Sequence, residues 1–273
     1  LLAHNPSPFT FKGTGVYIVG EGNVAVIDPG PDDPDHLTAL RAALRGETVT
    51  HVLVTHTHND HSPAAKYVRD WTGAPTYGYG PHGLGAAERG VVVEEGGDMD
   101  FVPDVAVRDG DVIRGLGFSF DCVHTPGHTS NHVCYAFREQ KALFSGDHVM
   151  GWSTSVIAPP DGDMTEYLRS LEKLLARDET VYWPTHGALI TKPHSLVAEF
   201  LQHRHEREAA ILAAVRDGQG AISDIVRRVY VGLDPKLFAA AGRSVLAHLI
   251  RLEQLEVVRR EESASGPWFR TVS

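Results

Sequence analysis

The stretch THTHNDHS at residues 55–62 places three imidazoles and a carboxylate, His56, His58, Asp60 and His61, directly behind the apolar run Val52-Leu53-Val54. A buried strand that ends on groups which resist burial needs a reason. Converging neutral imidazoles and carboxylates are the donors that a zinc-type cation requires. His56 and His58, two apart on an extended segment, project to one side. Asp60 and His61 follow on a turn, offset enough to face a second ion. Three later segments add donors of the same kind: HTPGHTSNH at 124–132, Ser145-Gly146-Asp147, and Pro184-Thr185-His186-Gly187. Each follows an expected strand, so all four segments can meet at one sheet edge. Within 124–132 the Pro126-Gly127 turn favours His128 as the projecting ring; His124 reads as a strand-end residue, and His132 as a ring that orients a ligand by hydrogen bonding. Seven donors with one shared carboxylate make the inventory of a two-metal site. A solvated polar loop is the bland alternative for 56–61, but four metal-type donors at this spacing rarely arise by accident. His51, His82, His148 and His194 read as surface or supporting histidines, and Cys122 and Cys134 as reduced packing thiols.

The elements that must carry these groups can be read from periodicity. Two β-branched runs, 15–20 and 23–27, flank a hairpin signal at Gly20-Glu21-Gly22-Asn23. Asp35 is expected to cap a helix carrying Leu37, Leu40 and Leu44. A strand over 49–55 delivers the His-rich motif, and Ser62 or Pro63 is expected to open the helix behind it. Residues 73–97 are Gly-rich and irregular, and read as loops flanking a site. Strand pairs follow at 111–113 with 118–123 and at 132–137 with 142–145. Asp163-Met164-Thr165-Glu166 has capping-box spacing ahead of Leu168, Leu171, Leu174 and Leu175, and a last strand runs over 180–183. Strands alternating with helices give a layered α/β body. Beyond it the pattern changes to helices at about 193–217, 222–230 and 235–255, followed by two short β-prone pieces across a Ser/Gly turn. That is the outline of a winged helix.

Bulk properties exclude several classes. The chain has 273 residues and a net charge of −10, with 42% hydrophobic and 22% charged residues, as in an ordinary globular protein. It has no run of apolar residues long enough to span a membrane. With only 2 cysteines and no visible signal peptide, a reducing, cytoplasmic setting is expected. The acidic charge sits on the body and the tail is only slightly basic, far from the strong basic patch of a nucleic-acid binder.

The HxHxDH core, His56-Thr57-His58-Asn59-Asp60-His61, followed in order by a PGH turn, a Gly-Asp and a late His, resembles the metallo-β-lactamase fold superfamily of hydrolases. The resemblance covers roughly residues 10–195. It implies a four-layer αββα sandwich over 1–198 with a small winged-helix domain over 199–273, of the subgroup that includes a mitochondrial endoribonuclease and its bacterial relatives. It also implies that His56, His58 and His128 hold one metal, that Asp60, His61 and His186 hold the other, and that Asp147 bridges. Two zinc ions are expected, with manganese or iron as alternatives, and Asp60 doubles as the proton-accepting catalytic group. The expected reaction is hydroxide attack on a small ester, thioester or related carbonyl substrate. The alternative is single-strand RNA cleavage with Arg259-Arg260 on phosphates, and β-lactam hydrolysis is a third, side activity. No membrane partner is expected; the tail serves packing, homodimer formation or RNA binding.

Overall fold

The computed structural model describes residues 1–83, 96–263 and 266–272. Part of the Gly-rich stretch expected as loops, 84–95, lies outside them. The chain opens with a two-stranded pair, β1 (Leu2–Ala3) and β2 (Thr14–Gly15), then builds two five-stranded sheets. The first has the order β3-β4-β5-β6-β7, from Tyr17–Glu21, Asn23–Ile27, Thr48–Leu53, Thr76–Gly78 and Val105–Ala106. The β3–β4 hairpin is antiparallel, and β4, β5, β6 and β7 pair in parallel. The second sheet has the order β12-β11-β10-β9-β8, from Val181–Pro184, Ala142–Gly146, Val133–Phe137, Phe118–His124 and Val112–Gly115. It is antiparallel except for the parallel β11–β12 pair.

Alternation along the strands explains the layering. In β10, Val133, Tyr135 and Phe137 face the first sheet, while Cys134 and Ala136 face the opposite way. In β4, Ala25 and Ile27 enter the space between the sheets, and Val24 and Val26 turn outward under helices. A strand apolar on both faces must be covered on both. Helices α1 (Pro34–Ala43) and α2 (Ala65–Thr72) cover the first sheet, through Leu40, Ala65 and Val68. Helix α3 (Met164–Leu175) covers the second with Met164, Tyr167, Leu168, Leu171 and Leu174. The result is the expected αββα sandwich.

Several helix starts differ from the sequence reading. Asp33, not Asp35, caps α1: its carboxylate accepts the His36 amide at 2.9 Å, and Pro34 fills the first helical position. Helix α2 begins at Ala65 without a side-chain cap, because Ser62 donates instead to Asp98 at 2.7 Å. Asp163 caps α3 through the Glu166 amide at 3.0 Å, but Glu166 pairs with Arg169 at 2.7 Å. The stretch 73–97 reads as loop, yet Thr76–Gly78 within it is a short parallel strand with Thr76 and Gly78 buried.

The C-terminal module comprises α4 (Pro193–Arg216), α5 (Ile222–Val229), α6 (Phe238–Gln254) and the hairpin β13 (Val258–Ser263) with β14 (Gly266–Thr271). Three helices and a hairpin form the winged helix. Residues 198 and 199 both lie within α4. Its first half packs Val197 and Phe200 on the sandwich, and its second half packs Ile211, Ala214 and Val215 into the winged-helix core.

Candidate metal centre

Strands β5, β11 and β12 and the β9–β10 hairpin all deliver their following loops to one edge. The chain can be drawn that close because of two glycines. Gly146 (φ 51°) ends β11, and a Cβ there would stand 2.6 Å from the His132 ring. Gly127 (φ 136°) would bring a Cβ within 2.3 Å of the Tyr167 backbone. Only glycine combines these left-handed angles with such approach.

All seven expected donors meet there. Donor atoms of His56, His58 and His128 lie within 4.8 Å of one another, as do those of His56, His61 and Asp147 and those of Asp60, His61 and His186. Asp147 touches both sides: its carboxylate oxygens are 3.5 Å from His61 Nε2, 3.4 Å from His186 Nε2 and 3.7 Å from His128 Nε2. Asp60 Oδ2 stands 3.2 Å from His186 Nε2 and 3.4 Å from His61 Nε2.

The surroundings decide which ring nitrogen faces inward. His128 Nδ1 donates to the Val156 carbonyl at 2.6 Å, His186 Nδ1 to the Gly13 carbonyl at 3.1 Å, and His61 Nδ1 to Asp28 at 3.0 Å. His56 Nδ1 donates to Thr55 Oγ1 at 3.1 Å, since that hydroxyl gives its own proton to Asp28 at 2.8 Å. Each of these four rings therefore turns its Nε2 inward. His58 presents Nδ1, 2.9 Å from His56 Nε2 and 3.1 Å from His128 Nε2. One proton on His58 cannot serve both neighbours. His61 Nε2 and Asp147 Oδ1 are buried without a hydrogen-bond partner. Buried imidazoles and carboxylates that crowd together at 3.2–3.7 Å without good hydrogen bonds are what a cation satisfies, so the residues fit two metal ions.

Charge divides the rings into two kinds. Burial and the neighbouring His61 and His58 rings hold His56 well below the usual imidazole range, keeping it neutral. Burial opposes charge on His186 too, but Asp147, with hydrogen bonds to Asp147 and Asp60, outweighs it and pushes its pKa up to about 10. Burial alone would raise the Asp147 carboxyl; His186 and His61 overcome this and keep it ionised.

The surrounding histidines hold the cluster in place from several sides. His132 braces Asp147, one of the expected donors: its Nε2 accepts the Asp147 amide at 3.3 Å. His124 ends β9 and stacks on Tyr79 at 3.9 Å. His82 is buried against the site, 2.9 Å from Thr57 Oγ1 and with its ring 5.8 Å from that of His58. His148 is fully buried rather than at the surface, and burial drops its pKa to about 3. His194 bonds the Arg177 carbonyl at 2.8 Å, and His51 packs on Tyr77. The important omission is Asp28, read only as part of a turn. It is 1% exposed and accepts from Thr55 N, Thr55 Oγ1, His61 Nδ1 and Thr185 Oγ1. The available signal was the threonine preceding His56 and His186, a hydroxyl at each strand end in need of one acceptor. Thr14, donating to Asp60 Oδ2 at 2.8 Å, was also missed.

Above the donors opens a cavity of about 440 Å³. Its walls include Phe9 from the N-terminal segment, Met150 and Val156 from the loop after β11, and Ala240 and Arg243 from α6; His58, Asp60, Asp147 and His186 line it from the donor cluster.

The Metallo-beta-lactamase superfamily description matches residues 10–186, and the Beta-lactamase associated winged helix domain matches 221–268. The chain therefore belongs to the metallo-beta-lactamase superfamily, and is a hydrolase of that family, whose members bind divalent metals at a dinuclear site. It is 31% identical to the Beta-lactamase-like protein 2 homolog of Drosophila melanogaster, over 98% of this chain and 92% of that one. It is 28% identical to the Atrochrysone carboxyl ACP thioesterase of Claviceps purpurea, over 84% of this chain and 71% of that one. A metallo-beta-lactamase family protein from Thermus thermophilus shares the fold at a TM-score of 0.80 and 21% identity, over 98% of this chain and 96% of that one.

Proposed function

We propose that this protein hydrolyses acyl thioesters and related small esters with two zinc ions. His56, His58 and His128 would hold one, Asp60, His61 and His186 the other, and Asp147 would lie between them. Such ions, when bound, acidify water and polarise the acyl oxygen. The chain's own residues supply the rest. Asp60, held by Thr14, borders the cavity and accepts the proton released as water attacks. Asp28 holds His61 in its tautomer and, through Thr55 and Thr185, ties the ends of β5 and β12 together. Phe9, Met150 and Val156 offer an acyl group an apolar wall that excludes bulk water. The observation that carries the reading is this apolar cavity standing directly on the cluster of metal-type donors. The thioesterase among the relatives adds support for the thioester.

The test is a panel of esters, thioesters, a chromogenic β-lactam and single-stranded RNA, given to protein with measured zinc, iron and manganese content. Thioesters are expected to turn over fastest, and Asp60→Asn to lower that rate by roughly 10²–10⁴-fold with little loss of fold. Iron or manganese in place of zinc would change the ion and leave the donors as assigned. RNA cleavage outpacing every carbonyl substrate, and abolished by Asp60→Asn, would overturn the substrate class.

A further inference from the structure

The catalytic cavity does not end at the metal donors. Ser7, Phe9, Met150, Val156 and Ala240 also line a second cavity of about 530 Å³, so the two adjoin across these side chains. The second runs between the N-terminal segment, the loop 152–156 and the winged-helix module, whose Leu233, Leu237 and Ala240 form one wall. Phe11 stacks on Trp152 at 5.1 Å along the opposite side, and both rings remain partly exposed, at 42% and 39%. In a monomer, aromatic surface of this kind beside a catalytic centre marks a place for an apolar ligand.

The lining of the groove also carries positive charge. His203, Arg204 and Arg207 of α4 line it, and among the described residues no aspartate or glutamate does. In a chain of net charge −10 that is a local reversal of sign. Arg204 is 3% exposed; it donates to the Ser155 carbonyl and keeps a buried Nε without a hydrogen-bond partner. Arg207 is held by the Val229 carbonyl at 3.0 Å and lies over the Tyr230 ring at 4.1 Å, a geometry that presets its guanidinium. A pre-positioned cation in a groove without acidic lining offers an anion a partner.

We propose that this groove binds one arm of the substrate: an extended apolar chain that ends in an anionic group, phosphate or carboxylate, received by Arg207. The inference rests on the thioester-hydrolase reading above and narrows it to long, anion-terminated thioesters. The winged helix then acts as the specificity wall of the active site.

Two series of thioesters test it on the metal-loaded protein, one with the anion at the end of the acyl chain, the other at the end of the thiol chain. Each series spans two to twelve carbons and includes carboxylate, phosphate and neutral hydroxyl termini. The expected result is kcat/KM rising with length, and in one series at least tenfold higher for an anionic than for the hydroxyl terminus. Phosphate and carboxylate are told apart by which gives the larger ratio. That ratio should fall to near one in Arg207→Gln and survive in Arg207→Lys; Ala240→Trp, which fills the junction, should remove the length dependence. No preference for an anion in either series, or a preference untouched by Arg207→Gln, overturns the inference. If wild type hydrolyses no thioester at all, the functional reading fails and binding decides the groove. Calorimetric titration with undecyl phosphate and undecanoate against undecanol should then show at least tenfold tighter binding of an anion, lost in Arg207→Gln. Equal binding of all three, or none, overturns it.

Discussion

Asp28 carries more of the metal centre than its place outside the donor set implies. Its Oδ2 takes protons from Thr55, His61 and Thr185, so one buried carboxylate orients a ring and two strand ends. Asp28→Asn cannot accept on both oxygens, and it places an amide donor against the N–H of His61. It is expected to weaken metal affinity roughly 10–100-fold, the usual cost of losing such a partner. Chelator competition, with bound metal quantified, measures this; unchanged affinity would show that His61 is oriented by something else. The cysteines make the opposite case. Burial pushes Cys122 and Cys134 up to about 12, so both are neutral thiols throughout the working range. A disulfide reagent at pH 8 should modify neither in the folded protein and both once it is unfolded. Because the folded values lie above the unfolded value of about 8.5, their contribution to stability is complete below that pH. It is lost as pH rises from there toward 12.

At the scale of elements, the site depends on how closely strand ends approach. Gly146→Ala forces a side chain into the left-handed region and against His132, whose Nε2 holds the Asp147 amide. The backbone strain alone costs roughly 1–2 kcal/mol, which corresponds to a fall in Tm of about 2–8 °C for a body this size. Displacement of Asp147 should add loss of metal, so calorimetry and metal analysis on one sample should report both. A variant with normal Tm and a full complement of metal would mean that the β11 turn tolerates a different path.

For the whole molecule, the decisive feature is that α4 belongs to two cores. Phe200 lies against the sandwich, while Ile211, Ala214 and Val215 lie against α5, α6 and the hairpin. Ala247 of α6 returns to the sandwich core, and Gln254 accepts from Thr165 of α3 at 2.8 Å. Ending the chain after Asp217 would bare the apolar side of α4 and remove the Ala240 wall of the catalytic cavity. We expect such a truncation to aggregate, or to lose the proposed long-chain thioester hydrolysis before it loses added metal. Light scattering and metal analysis distinguish the two, whereas a monodisperse truncation with wild-type kinetics would show that the module is an independent appendage.

What could be read from the sequence is whatever local chemistry determines. The period-2 runs, the leucine stripe of α3 and the density of His and Asp behind strands each carry their signal within a few residues. The donors, the sandwich and the winged helix were therefore visible. Helix starts were less so, because Asp33 and Asp35 are equally good caps and only the path into α1 chooses between them. The short strand β6 has three residues and pairs in parallel, so its partners lie far away in the chain and leave no local alternation. Asp28 and His148 show the limit most clearly. An aspartate before Pro-Gly and a histidine after Gly-Asp look like turn residues from their neighbours in sequence. Asp28 became the acceptor that joins β4, β5 and β12, and His148 became a buried ring against Tyr167 at 4.7 Å. Burial and hydrogen-bond partners are properties of distant segments brought together, so only the folded arrangement could assign them.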